Sequence, residues 1–114
     1  MIQYVQNKGD ASKMREKTIE KRIGEIKQEL MQSGDMRPGS LTRQSRGSTG
    51  EYYQLSYTHE NRGRTEYIRS VFAKDIQKQI RNYNNFKKLI NEWVKLEIER
   101  SKLKMEVEKK AGRK

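Results

Sequence analysis

Residues 51–69 read EYYQLSYTHENRGRTEYIR, and the alternation within them decides the fold. Tyr53, Leu55 and Tyr57 fall on one side of an extended chain, and Tyr52, Gln54, Ser56 and Thr58 on the other. That two-residue period, with this density of aromatic and β-branched residues, is the signature of a strand. His59-Glu60-Asn61-Arg62-Gly63 reads as a turn, in which Asn61 and Gly63 tolerate positive φ. Residues 64–69, RTEYIR, make the return strand. The pattern predicts a β-hairpin over 51–69. A lone hairpin is marginal in water, so it must pack on a helix or on a partner chain.

Helices flank it. Upstream, Ile19, Ile23, Ile26 and Leu30 step by four, three and four among Lys, Arg, Glu and Gln. This narrow seam predicts a helix over about residues 10–33, capped by Asp10 or Ser12 and stopped at Gly34. Residues 34–50, GDMRPGSLTRQSRGSTG, hold four Gly and the only Pro and read as a basic loop. Downstream, Ile76, Ile80, Tyr83, Phe86, Ile90 and Trp93 keep helical spacing, and no Gly or Pro interrupts 74–110. A long helix with coiled-coil character is expected there, then a basic tail at 111–114. The expected fold is a single α+β domain, mainly helical: helix, basic loop, hairpin, long helix.

Composition bounds the function. The 114 residues carry 26 Lys and Arg against 15 Asp and Glu, a net charge of +11. The excess concentrates after residue 73, where thirteen cations face six anions. Such a field attracts polyanions. With 32% hydrophobic residues, the chain is expected to gain buried area by forming a homodimer through its helices. Cysteine is absent, which removes disulfides and thiolate metal sites. No apolar run approaches the ~20 residues of a membrane span or the shorter core of a signal peptide, so a cytoplasmic protein is expected.

No constellation points to catalysis. His59 is the only histidine and sits in a turn, so no metal site is expected. Gly39-Ser40 lacks the lysine and glycine spacing of a phosphate loop. Glu97 and Glu99 cannot face each other on a helix, and no serine lies in a nucleophile elbow. A non-enzymatic protein without cofactors is the reading. Its candidate nucleic-acid contacts are of three kinds. Arg37, Arg43 and Arg46 lie on the loop; Tyr52, Gln54, Arg62, Arg64 and Arg69 on the hairpin; Lys74, Lys78, Arg81 and Lys88 on the long helix. Arginine forks suit phosphate, tyrosine rings suit bases, and a two-stranded ribbon suits a major groove. The ligand is DNA or RNA. The alternative is a coiled-coil adaptor that meets an acidic protein partner.

PGSLTRQ (38–44), YYQLSYT (52–58), RTEYIR (64–69) and NYNNFKKLINEWVKLEIERSKL (82–103) together resemble a family of small prokaryotic proteins of unassigned function. Its members carry a Gly-Ser-Leu element, a Tyr-Tyr-x-Leu-Ser strand and a helix ending Glu-Trp-Val-x-Leu. Some look like products of mobile elements, which implies an accessory or regulatory role on nucleic acid. Many also carry a Cys-rich stretch where this chain has Ser45-Arg46-Gly47-Ser48-Thr49-Gly50, so a metal role does not carry over.

Overall fold

The isoleucine seam of the first helix is satisfied inside the chain. The computed structural model describes the backbone of residues 8–45, 47 and 50–110, and side chains over that range except at 8–10, 12 and 110. The elements are α1 (Lys8–Met31), β1 (Ser40–Ser45), β2 (Glu51–His59), β3 (Arg62–Arg69), a 3-10 turn (Ser70–Phe72) and α2 (Ala73–Lys110). The α+β, mainly helical class and the order of helix, hairpin and long helix are as expected. At 38 residues, α2 is about 57 Å long. No helix among the described residues is long and apolar enough to cross a membrane.

Contacts gather in two compact units. The first takes α1 and the second half of α2, from Lys88 onward. Ile19, Ile23 and Ile26 on α1 and Leu89 on α2 are buried. The helices run antiparallel, since residues rising along α1 pair with residues falling along α2: Arg15 with Glu99, Arg22 with Glu92. Arg22 forks both oxygens of Glu92, Nε at 2.7 Å and Nη2 at 2.9 Å, while its Nη1 reaches Glu25 and Glu29. Arg100 joins Glu20 and Glu97, and Lys27 lies over the Trp93 ring. Each buried isoleucine stabilises by roughly 1.5–3 kcal/mol. A solvent-exposed ion pair adds about 0–1. The seam therefore holds the pair together, and the charges set its direction.

This arrangement alters the argument for a homodimer. The α1 seam was expected to need a second copy, yet α2 of the same chain covers it. A different helical stripe stays exposed: Val94, Ile98 and Met105 on α2.

The second unit spans Ser33–Lys87 and holds an antiparallel sheet in the order β1-β2-β3. The strand β1 corrects the sequence reading, which placed all of 34–50 in a loop. Leu41 pairs with Leu55 and Arg43 with Tyr53. Only one apolar residue marks SLTRQS as a strand, so pairing with β2 makes it one, not its own propensity. The short connection from Ser45 to Glu51 carries Gly47 and Gly50, both at positive φ. The β2-β3 turn is tighter than expected. His59 pairs with Arg62, and the two residues between them, Glu60 and Asn61, have φ of 53° and 64°. That is the twist of a two-residue hairpin turn. Gly63 lies in β3 opposite Thr58, so Glu60, not Gly63, takes the second left-handed position.

The helix boundaries also differ. Lys8 and Gly9 are already helical, so α1 starts ahead of Asp10 and Ser12; the side chains of those two lie outside the described residues. The helix ends at Met31, and Gly34 follows without a left-handed φ. Space is tight there instead: a Cβ would come within 3.2 Å of Asn82 Nδ2, and that amide would have to give way by a few tenths of an ångström. That amide donates to the carbonyl of Asp35 at 2.8 Å, and Arg37 N–H donates to the carbonyl of Gln79 at 3.2 Å. The 33–39 segment is thereby fixed along the first half of α2.

Candidate nucleic-acid interface

Strand register sorts the hairpin residues onto two faces. Side chains directly opposite across antiparallel strands share a face. Leu55 and Ile68, both buried, define the inner face, which also takes Arg43, Glu51, Tyr53, Tyr57, Arg62, Arg64 and Glu66. The outer face takes Ser40, Thr42 and Gln44 from β1, Tyr52, Gln54, Ser56 and Thr58 from β2, and Thr65, Tyr67 and Arg69 from β3.

This parity divides the residues singled out in the sequence. Tyr52, Gln54 and Arg69 stand together on the outer face, with Arg69 directly opposite Tyr52. Arg62 and Arg64 lie by the turn on the other face, and both are exposed. Lys74, Lys78 and Arg81 are exposed on the first half of α2. Lys88 is exposed as well, but it belongs to the helical unit. Arg46 lies outside the described residues, as does the basic tail at 111–114.

Two loop cations have other employment. Arg37 sends Nη1 and Nη2 to the two oxygens of Glu66, at 3.2 and 2.8 Å, and its guanidinium lies 5.0 Å from the centre of the Tyr57 ring. These hydrogen bonds hold the Glu66 carboxyl below the usual carboxylate range and keep Arg37 charged. Arg37 is thus a fastener between the 33–39 segment and the sheet. Arg43 pairs with Glu51 on the neighbouring strand.

The charges left over are the informative ones. In the helical unit, Arg15, Arg22 and Arg100 are each tied to a carboxylate, and of its cations only the lysines form no ion pair among the described residues. In the sheet unit, Arg62, Arg64, Arg69, Lys74, Lys78 and Arg81 form no ion pair among the described residues. A cation without a carboxylate keeps its full field for an outside anion.

Sequence reasoning counts Tyr67 among the aromatic residues of the hairpin but not among the candidate contacts. The residue is 61% exposed, and its ring packs at 5.2 Å, tilted by 39°, against Tyr52 diagonally across the strands. Parity alone would have found it, because Ile68 claims the inner face and leaves Tyr67 the outer one. Thr42 and Gln44 read as part of a polar loop arm, and only β1 places them on this face. Among the described residues, no group of three or more His, Cys, Asp or Glu is placed to hold a metal ion.

Comparison with known proteins returns no relative: no family model, curated sequence or solved structure matches the chain. The family resemblance over 37–103 rests on the residues quoted for it.

Proposed function

We propose that this chain is a non-enzymatic nucleic-acid-binding protein whose sheet unit makes the contacts. One observation carries the reading: four arginines of that unit, Arg62, Arg64, Arg69 and Arg81, lack an ion-pair partner among the described residues, while the arginines described in the helical unit are each tied to a glutamate. Phosphate groups are the partner such a set fits, and arginine offers them a fork. The aromatic and amide side chains of the outer face supply groups that can meet bases.

The test is a fluorescence-anisotropy titration at rising salt. Neutralising several phosphates should make log K fall with log salt by about 0.9 per contact on duplex DNA and about 0.7 on single strands. Arg62→Ala with Arg64→Ala should weaken binding and leave the melting temperature almost unchanged, since exposed charges contribute little to stability. Failure to bind duplex DNA, single-stranded DNA or RNA at low salt would sink the proposal.

A second reading is self-association of α2, favoured by the exposed Val94, Ile98 and Met105. These residues keep the four-and-seven spacing of a coiled-coil seam, and Glu97 and Lys102 border it with opposite charge. Opposite charges on the two borders suit a second copy of the same helix. Sedimentation of wild type beside Ile98→Asp separates the readings: a monomer at every micromolar concentration rules the dimer out.

A further inference from the structure

We propose that the outer face of the sheet is a stacking platform for single-stranded nucleic acid, with Tyr67 as its base-stacking ring. The inference rests on the nucleic-acid reading above and names the strand form and the contact.

Three features of the face support it. First, the register places no acidic residue there. Glu51 and Glu66 are both on the Leu55 face, and Glu60 is in the turn. What remains is hydroxyls, amides, two tyrosines and Arg69, which neither repel a phosphate backbone nor form an apolar patch that would suit a protein partner. Second, Tyr67 is largely exposed at mid-strand, and the Tyr52 ring packs against it. A ring braced by a neighbour and still largely exposed loses little freedom when a base stacks on it. Third, Gln54 lies directly opposite Tyr67, and Thr65 is two residues away on the same face. Amide and hydroxyl groups beside the ring can meet the edges of a splayed base.

The third strand argues against a duplex. A two-stranded ribbon enters a major groove about 12 Å wide. Strands lie about 4.8 Å apart, so three of them with their side chains are too broad to enter face-on. Bases inside a duplex are already stacked on one another, whereas those of a single strand are free to stack on a side chain. The strand β1, absent from the sequence reading, thus changes the expected ligand.

Anisotropy with labelled oligo(dT), oligo(U) and a hairpin duplex of equal length tests this at one low salt concentration. The single strands should bind more tightly than the duplex. Tyr67→Ala and Tyr67→Leu should each lose about tenfold on single strands, in line with a stacked base, and nothing on the duplex. Tyr67→Phe should bind like wild type. Circular dichroism checks that the variants fold; Tyr67→Leu keeps bulk on the strand if Tyr67→Ala does not. Binding that survives Tyr67→Leu but is lost in Arg62→Ala with Arg64→Ala overturns the platform and leaves the phosphate-contact reading standing. Tighter binding to the duplex also overturns it. Absence of binding to all three probes overturns both.

Discussion

Gly39 lies so close to Leu55 that a methyl group in place of its hydrogen would stand 2.6 Å from Leu55 Cδ1. The same methyl would meet the Ser56 carbonyl at 3.0 Å, and the φ of 139° is one that other residues rarely adopt. Leu55 is fully buried at the centre of the inner face, so it has no room to retreat. Gly39→Ala should therefore destabilise the fold by about 1–3 kcal/mol from overpacking, with backbone strain added. Urea unfolding followed by circular dichroism reads it, and a midpoint equal to wild type would contradict this packing.

Gly24 presents the opposite case. It sits inside α1, exposed, with nothing within 4 Å of where its Cβ would be. Glycine in a helix interior costs roughly 0.5–1 kcal/mol relative to alanine. Gly24→Ala should raise the melting temperature, and a fall would mean that the site is occupied.

The ranking of forces in the helical unit is testable by two truncations. Ile26 is fully buried, so Ile26→Ala should cost about 2–5 kcal/mol. Arg15, half-exposed, donates two hydrogen bonds to Glu99. Arg15→Ala should cost far less than Ile26→Ala, because an exposed ion pair contributes little. Equal losses in thermal unfolding would show that ion pairs, not the apolar seam, hold α1 to α2.

Acid should weaken the same pairing. Hydrogen bonds from Arg22, Arg15 and Trp93 hold the carboxyls of Glu92, Glu99 and Glu97 below the usual range. A depressed carboxylate binds its proton more weakly folded than unfolded. Its contribution is thus complete above the unfolded value, about 4.3, and disappears as pH falls through the lower folded value. Stability should be flat near neutrality and decline as pH drops below about 4.3. Glu92→Gln should show a shallower decline, and an identical acid limb in that variant would contradict the assignment.

How much of this was readable depended on whether a signal was local. The hairpin was readable because Tyr53, Leu55 and Tyr57 alternate with polar residues, and α2 because its apolar steps run without Gly or Pro. Residues 40–45 carry one apolar side chain, Leu41, and become a strand only beside Leu55. The interface was readable in composition but not in grouping. Arg37 looks like a free loop cation until Glu66, 29 residues on, comes alongside. Arg62 and Arg64 look like neighbours of Tyr52 in sequence, yet strand parity places them on the opposite face. The turn mattered here too: with Glu60 and Asn61 as its two residues, Arg62 is already in the strand.

The bond from Asn82 to Asp35 has a topological consequence. Residues 33–87 interrupt a helical hairpin, making them a guest inserted into a host. Arg15 must find Glu99 across 84 positions of chain, a search that entropy opposes. But the guest's two ends are fastened to each other, by Asn82 to Asp35 and by Arg37 to Gln79. Once the guest has folded, the host helices are separated by a short closure and not by a long tether. Closing the guest first therefore lowers the entropic cost of closing the host.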